Sequence, residues 1–361
     1  SVKLALQCQQ NLPGMLRWQQ AASGGAFWIG LDSGYCKVEA LAAAKLRANS
    51  AADGSGRTVT LDGDQVVLQT LGGFALIDLA QGKVLWKLDD AEYANATIRP
   101  CGQHLAVFVR IPPTQTAASD KPPATPKPGS FLRWIERASG KEAWQAEYEP
   151  GRVCLGGAGA TLLTERELIG IDSANGKPRW RVPLSRQALW REPVHVGDAW
   201  LLVDDMSRML EAYDAASGEL RYRRKLEAPL CLDPFRSDGG EALLYTSQNG
   251  VVAALSLDAA TGRVRWQSAI AEASETSKRL QGLGMAPLRI HNVLLHLDVA
   301  RGVVWPLDLK SGRVLAPVKL PAEAEATLGR SIAAWSLQGD AICLVEPWGR
   351  TTVVKVSVGQ P

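Results

Sequence analysis

Short hydrophobic runs separated by turn-forming residues recur along the whole chain. Typical runs are QVVLQ soon after Gly63, LAVFV soon after Gly102 and WLLV soon after Gly197. The runs contain four to seven residues, are rich in β-branched and aromatic side chains, and end at Gly, Asp, Asn or Ser. Runs of this length and composition are typical of strands rather than helices. The pattern therefore predicts an all-β protein made of short strands and tight turns.

An eleven-residue phrase repeats within this pattern. It contains an acidic residue, a glycine four positions later and, in most copies, a tryptophan at the end. The six copies read LIDLAQGKVLW, WIERASGKEAW, GIDSANGKPRW, AYDAASGELRY, SLDAATGRVRW and PLDLKSGRVLA. Glycine supplies the positive φ that a tight hairpin turn requires. Each phrase is therefore predicted to be two strands joined by a hairpin turn.

Together with the preceding hydrophobic run, each hairpin completes a unit of four strands, labelled A, B, C and D in chain order. Eight units are counted from their B–C turns, which fall near residues 33, 72, 114–129, 166, 206, 249, 301 and 349. Four-stranded units repeated at about this spacing are typical of β-propeller blades. The last unit lacks a strand D, and we predict that residues 2–6 supply it. The sequence thus predicts one eight-bladed β-propeller domain over residues 1–361.

The repeated phrase resembles the tryptophan-docking motif of the PQQ-type eight-bladed β-propellers, and is closest in type to the non-catalytic, BamB-like members. The resemblance implies that the last side chain of each phrase packs against the C–D turn of the neighbouring blade. The side chains given this role are Trp86, Trp144, Trp180, Tyr222 and Trp266. An indole suits the position because it buries a large ring and donates one hydrogen bond. Ala316 departs from the pattern, so we expect a looser seam after its blade.

The composition agrees with a tryptophan-based repeat and narrows the function. The 12 Trp outnumber the 5 Phe and 6 Tyr together. A net charge of +3, from 40 basic and 37 acidic residues, gives no electrostatic reason to expect a nucleic-acid partner. No run of uncharged apolar residues is long enough to predict a transmembrane segment. The closest cysteines, Cys8 and Cys36, are too far apart for a CxxC zinc motif, which favours buried free thiols.

Catalytic members of the resembled family imply a different function, which the residues do not favour. Those enzymes bind the quinone PQQ beneath a disulfide between adjacent cysteines, and the sequence contains no Cys-Cys pair. Glycine–lysine pairs such as Gly176–Lys177 lack the following Ser or Thr of a phosphate-binding loop. We therefore expect no enzyme activity, no catalytic residues, no cofactor and no metal. The alternative is a PQQ-dependent or other small-molecule-binding enzyme or sensor that uses the central channel.

Candidate binding residues fall in the loops at one face of the predicted ring. If strands A to D run outward, the irregular B–C and D–A connections meet at one face, opposite the short A–B and C–D turns. Arginine and tryptophan in such loops are enriched among the residues that dominate protein interfaces. The candidate protein-binding residues are Trp190, Arg191, Asp204, Asp205, Arg208, Trp348 and Arg350.

The same face is predicted to carry a mobile, proline-rich B–C insertion at residues 111–130. We expect a monomeric subunit of a larger complex, a scaffold that mediates protein–protein interactions. By the BamB-like resemblance, that complex would serve assembly in the cell envelope or outer membrane. The compartment stays open between the cell envelope, if a signal has been trimmed, and the cytoplasm.

Overall fold

Thirty-two β-strands make up the regular structure of the residues described by the computed structural model. Those residues are 2–11, 16–21, 26–31, 34–38, 46–47, 57–61, 64–70, 72–90, 92–93, 96–110, 130–156, 159–185, 188–231, 235–236, 240–249, 251–272, 287–298, 301–322, 334–347 and 350–358. The strands form eight antiparallel sheets of four strands each. Each sheet is one blade, so the predicted eight-bladed propeller is confirmed.

Blades 1 to 4 follow the N-terminal strand β1 (Val2–Asn11). Blade 1 is β2 (Leu16–Ala21), β3 (Phe27–Leu31), β4 (Gly34–Val38) and β5 (Leu46–Arg47). Blade 2 is β6 (Arg57–Thr60), β7 (Gln65–Thr70), β8 (Gly73–Asp78) and β9 (Lys83–Asp89). Blade 3 is β10 (Thr97–Cys101), β11 (His104–Arg110), β12 (Ser130–Glu136) and β13 (Glu142–Tyr148). Blade 4 is β14 (Gly151–Gly156), β15 (Gly159–Thr164), β16 (Glu167–Ile171) and β17 (Pro178–Pro183).

Blades 5 to 8 complete the ring. Blade 5 is β18 (Val194–Val196), β19 (Ala199–Asp204), β20 (Met209–Asp214) and β21 (Leu220–Lys225). Blade 6 is β22 (Phe235–Arg236), β23 (Glu241–Gln248), β24 (Val251–Asp258) and β25 (Val264–Glu272). Blade 7 is β26 (Leu288–Ile290), β27 (Val293–Asp298), β28 (Val303–Asp308) and β29 (Val318–Lys319). Blade 8 is β30 (Ala334–Gln338), β31 (Ala341–Val345), β32 (Arg350–Val358) and β1.

The two ends of the chain close the ring as the sequence predicts. Strand β1 pairs antiparallel with β32, from Val2 opposite Val358 to Asn11 opposite Arg350, with one irregularity after Leu6. The closing strand is thus longer than the predicted residues 2–6. Every strand D, including this one, has a partner on its inner side, and the blade order leaves no sheet incomplete.

The first strand of each blade is the innermost, and these strands surround a central channel. Strands β30, β2, β6, β10, β14, β18 and β22 contact one another in that order, and β26 contacts β30. The second strand of each blade lies deeper in the wall. In β11, residues Leu105 to Val109 are all fully buried, because neighbouring blades cover both faces of the sheet. A strand buried on both faces reads as a continuous apolar run, as in the sequence.

The connections divide between two faces of the ring. The B–C turns and D–A links meet at one face, which we call the loop face. The A–B and C–D turns meet at the other, the turn face. In blade 5, for example, the amide of Leu226 in the D–A link donates to the carbonyl oxygen of Arg208 in the B–C turn (2.8 Å).

Most of the predicted 111–130 insertion lies outside the described residues. Its last residue, Ser130, is the first residue of β12 and is buried. None of the helical segments within the described ranges is long and apolar enough to cross a membrane.

Candidate protein-binding face

The side chains that end the repeated phrase lie against the C–D turn of the following blade. Trp180 of blade 4 donates from Nε1 to the carbonyl oxygen of Ala215 in blade 5 (3.2 Å). Its ring covers Gly218 so closely that a Cβ on this glycine would lie 2.7 Å from the indole Cδ2. The position thus admits only glycine while the indole is in place.

The same contact recurs at four further seams. Nε1 of Trp86, Trp144 and Trp266 donates to the carbonyl oxygens of Arg137, Ser173 and Leu309 at 2.8, 2.7 and 3.0 Å. Tyr222 replaces the indole with a phenol ring, and a Cβ on Gly262 would lie 2.6 Å from its Cε2. The five side chains therefore join blades 2 to 7 in sequence.

The acidic residue of the phrase builds the turn that receives the aromatic ring. Oδ1 of Asp214 accepts hydrogen bonds from the amides of Ala216 (2.9 Å) and Ser217 (2.8 Å). The amide of Gly218, at φ +75°, donates to the backbone carbonyl of Asp214 (2.9 Å). A hydrogen bond from Arg221, together with these amides, holds the pKa of Asp214 well below its usual value. The carboxylate therefore fixes the turn before the ring packs on it.

The departure at Ala316 has a topological cause. The next blade, blade 8, takes its strand C from the C-terminal part of the chain and its strand D from β1. No hairpin joins these two strands, so blade 8 has no C–D turn to receive an indole. Ala316 is exposed, and β29 after it pairs over only two residues, Val318 and Lys319.

Five of the seven candidate binding residues come together on the loop face of blade 5, namely Trp190, Arg191, Asp204, Asp205 and Arg208. The segment that precedes β18 runs antiparallel to the end of β19, with Trp190 bridged to Asp204. The amide of Asp205 donates to the carbonyl oxygen of Leu189 (3.0 Å). This pairing turns the D–A link and the B–C turn into one structured loop pair.

Asp204 organises this loop pair from within. Its carboxylate is buried and accepts hydrogen bonds from the amides of Leu189 (2.8 Å), Met206 (3.1 Å) and Ser207 (3.3 Å), and from the Ser207 hydroxyl (2.5 Å). Burial opposes ionisation, but these hydrogen bonds outweigh it and lower the pKa of Asp204. The structure therefore gives Asp204 a role in holding the loops, since its carboxylate oxygens are already engaged.

Two arginines connect blade 5 to the link that enters blade 6. Nε of Arg191 donates to both carboxylate oxygens of Asp205 (2.7 and 2.9 Å), and its Nη2 donates to the carbonyl of Leu230 (2.9 Å). Arg208, at φ +58°, donates from Nη1 to the carbonyl of Glu227 (2.9 Å). Their guanidinium groups thus position the loop pair.

Trp190 belongs to this cluster but is not fully exposed, and the last two candidates lie apart from it or outside the described residues. Trp190 is half-buried, and its Nε1 lies 3.4 Å from the carbonyl oxygen of Ser185. Arg350 is the first residue of β32 in blade 8, on another part of the ring, and its carbonyl accepts from the amide of Glu346 (2.9 Å). Trp348 lies outside the described residues.

Two apolar side chains that sequence reasoning missed are highly exposed in the loop pair. Leu189 is 57% exposed and Met206 is 72% exposed. Both are held by Asp204, whose Oδ1 accepts from both of their amides. We call Leu189 and Met206 the apolar knob. The available signal was that two apolar residues sit in polar loops beside candidate residues, since Leu189 precedes Trp190 and Met206 follows Asp205.

A cleft of about 370 Å³ lies beside the knob, between blades 5 and 6, and is open at the loop face. Val251, Ala253 and Leu255 of β24 form its apolar wall. Arg224, Lys225 and Glu227 form a charged rim on the side of blade 5. Because Arg208 holds the carbonyl of Glu227, the rim of the cleft is tied to the turn that carries Met206. Knob and cleft are therefore parts of one surface.

The described residues bring together no cluster of candidate metal ligands. Within them, no group of three or more His, Cys, Asp or Glu side chains could hold a metal ion. His296 is buried in the seam between blades 6 and 7, where its ring meets the edge of Tyr245 (centroids 5.3 Å apart). Burial lowers the pKa of His296 to about 3. The absence of adjacent cysteines also means that the sequence does not fit the disulfide of the quinone enzymes.

Comparison with protein families identifies one match by sequence. The family model described as outer membrane protein assembly factor BamB matches residues 168–360, more than half of the chain. A search of curated protein sequences found no significant match.

Solved structures confirm the fold at low sequence identity. BamB from Moraxella catarrhalis is 15% identical, with a TM-score of 0.59 and 99% of both chains covered. The C-terminal WD40 domain of Sif2 is 12% identical, with a TM-score of 0.62 and 99% of both chains covered. The quinohemoprotein alcohol dehydrogenase ADHIIG from Pseudomonas putida HK5 is 11% identical, with a TM-score of 0.53, 99% of this chain and 77% of that chain covered. At such identities the likeness shows the propeller fold alone.

Proposed function

The chain belongs to the family of the outer membrane protein assembly factor BamB, and from this premise we propose that it is a non-catalytic scaffold that holds a protein partner within a larger assembly. The family supports protein partners as a class, and assembly of envelope or outer-membrane proteins as the setting. The proposed docking surface is the loop face of blades 5 and 6. A propeller suits this role because loops on a rigid ring can vary without disturbing the core.

The observation that carries the proposal is the exposed apolar knob. Leu189 and Met206 are far more exposed than the core residues around them, yet Asp204 fixes both backbones. A side chain on an ordered loop loses little backbone entropy when a partner covers it. Methionine is enriched in the buried centres of interfaces. The knob therefore has the chemistry of an interface anchor next to a cleft that has a charged rim.

The adjoining cleft indicates how a partner segment would be received. Alternate residues of β24 form its apolar wall, because Val251, Ala253 and Leu255 lie on the same side of the strand. An extended segment places alternate side chains on one side, so it matches such a wall. Gln248 and Gln267 also line the cleft and offer hydrogen-bonding groups to a backbone. We propose that an extended stretch of the partner occupies the cleft while a second contact covers the knob.

A site-specific crosslinking experiment tests the surface. A photoreactive amino acid replaces Met206 in the cells that make the protein, and a matched one replaces Thr261, an exposed residue of the turn face. We expect a discrete crosslinked partner from position 206 and none from position 261. The crosslinked protein, identified by mass spectrometry, then serves as the purified partner.

Direct binding to that partner provides the quantitative test. Met206→Asp should weaken binding by about tenfold or more, which corresponds to about 1.4 kcal/mol, without lowering the melting temperature. Leu85→Asp is the matched control because Leu85 is 40% exposed on another blade. Equal loss in both variants, or crosslinking from position 261 alone, would place the interface elsewhere on the ring.

A further inference from the structure

The first strands of the blades contain arginines and no acidic residues. Within their bounds lie Arg17, Arg57, Arg99, Arg152, Arg236 and Arg289, each on the first strand of a different blade. The first strands of blades 5 and 8 contain neither arginine nor an acidic residue. The whole chain is nearly balanced, with 40 basic and 37 acidic residues. Basic residues are therefore concentrated on the strands that form the channel wall.

Guanidinium groups of blades 3 and 4 gather at the loop-face end of this wall. Arg152, the second residue of β14, is exposed. Arg110, the last residue of β11, is also exposed, and its Nη2 donates to the carbonyl of Gly151, the residue before Arg152 (2.8 Å). The side chain of Arg99 in β10 is 46% exposed. Arg99 and Arg152 lie on neighbouring innermost strands, β10 and β14, and Arg110 is hydrogen-bonded to the start of β14.

One carboxylate of the chain already occupies part of this cluster. Nη2 of Arg99 donates to both oxygens of Glu192, which lies just before β18 (3.0 and 3.1 Å). The buried Cys154 thiol lies close to the same charged groups. Burial raises its pKa, and the charges of Glu192, Arg99 and Arg152 also act on that pKa. These three charged groups therefore belong to one region of the wall, where an arginine already binds an oxyanion.

The other two arginines lack such a partner. In the part of the chain that the structure describes, no carboxylate pairs with Arg110 or Arg152. Guanidinium groups bind phosphate and carboxylate oxygens through paired hydrogen bonds. A concave site with one sign of charge concentrates its field and attracts counter-ions.

We propose that the loop-face end of the channel binds a small multivalent oxyanion, held by Arg99, Arg110 and Arg152. The ligand class is defined by clustered phosphate or carboxylate groups, which these donors recognise alike. Glu192 acts as an internal competitor because it occupies Arg99. This site binds its ligand through other residues than the docking surface on blades 5 and 6, so the two proposals can fail independently.

Isothermal titration of the full chain with tripolyphosphate and, separately, with citrate tests the site at an ionic strength of about 0.15 M. We expect one ligand per chain. Arg152→Gln should weaken binding about tenfold or more, whereas Glu192→Gln should tighten it by freeing Arg99. Arg263→Gln is the matched control, because Arg263 is an exposed arginine of a C–D turn on the turn face.

The outcomes separate the ligand sources and the rival interpretations. Preference for tripolyphosphate or for citrate assigns phosphate or carboxylate chemistry to the same site. Failure of both anions to bind at millimolar concentration overturns the proposal. Equal weakening by Arg152→Gln and Arg263→Gln also overturns it, since binding would then reflect net charge. Binding of a polyglutamate peptide without either small anion would replace the proposed ligand by an acidic protein segment. Melting curves without ligand verify that each variant folds.

Discussion

Substituting alanine for Gly218 tests whether the aromatic side chains hold neighbouring blades together. The change adds one methyl group to a turn of blade 5, directly beneath the Trp180 indole of blade 4. The added Cβ would lie 2.7 Å from Cδ2 and 2.8 Å from Cε3 of that ring. A flat, buried indole cannot yield to such an approach by a rotation of its far end. The ring must leave its place, or the two blades must separate.

Two costs add at this position. Gly218 has φ +75°, and an alanine held in the left-handed region costs about 1–2 kcal/mol. Displacing Trp180 loses part of the packing whose complete removal costs about 3–5 kcal/mol in a Trp-to-Ala change. We therefore expect Gly218→Ala to lower the free energy of unfolding by about 3–5 kcal/mol.

The matched control is Gly102→Ala, because Gly102 also has positive φ (+57°) but has no heavy atom within 4 Å of an added Cβ. It should cost only the backbone strain, about 1–2 kcal/mol. Urea unfolding followed by far-UV circular dichroism measures both variants, with the slopes compared before midpoints are converted to free energies. A third variant, Gly218→Ala in a Trp180→Ala background, isolates the contact between ring and turn.

In that background the alanine at position 218 meets no indole, so its cost should fall to that of the control. The coupling between the two substitutions should then be about 2–3 kcal/mol. If Gly218→Ala lowers the free energy of unfolding by the same amount with and without Trp180, the indole of Trp180 does not act through the turn. Other contacts would then hold the two blades together, and the interpretation that the repeated phrase joins neighbouring blades would be refuted.

Two further predictions concern ring closure and the buried histidine. Deletion of residues 2–11 should lower the free energy of unfolding by several kcal/mol, on the scale of a severe core substitution, because it removes the whole partner of β32; deletion of residues 359–361 is the control, and similar melting temperatures for both truncations would contradict closure by β1. His296 has a folded-state pKa of about 3, below the value of about 6.5 in an unfolded chain, so the unfolded state takes up a proton first and stability falls as the pH drops below about 6.5. Between pH 7 and pH 5 this residue should cost about 2 kcal/mol. His296→Phe should remove that part of the pH dependence in urea titrations, and an unchanged pH dependence would count against the buried neutral state.

Much of the architecture follows from local sequence signals. The acidic residue and glycine of each phrase specify a hairpin turn without help from distant residues, as the bonds from Ala216 and Ser217 to Asp214 show. The same periodicity located the eight B–C turns and the strand missing from blade 8. Even the exception at Ala316 follows, in retrospect, from closure by two chain ends.

The binding surface could not be predicted to the same depth, because it depends on contacts between segments far apart in sequence. Arginine is a residue type that is enriched at interfaces, but Arg191 pairs with Asp205 and with the carbonyl of Leu230, which gives it a positioning role. The carboxylate of Asp204 is likewise buried and holds the loop pair, in which Leu189 and Met206 are exposed. The cleft exists only because β21 and β24 belong to adjacent blades. None of these relations is encoded in a short window of residues.

Closure by the two chain ends has a consequence for the order of events at the ribosome. Val2 pairs with Val358, so β1, which is made before the other strands of the propeller, cannot pair until β32 has been made. Until then β1 is an unpaired strand, and unpaired edges are the regions of a growing chain most prone to misassociation. The entropy of joining distant ends rises only slowly with the length between them, by about 0.6 kcal/mol per doubling. Joining the ends thus adds little to the equilibrium cost of folding. The delay is the greater hazard, because the unpaired strand stays exposed while the other strands of the propeller are made.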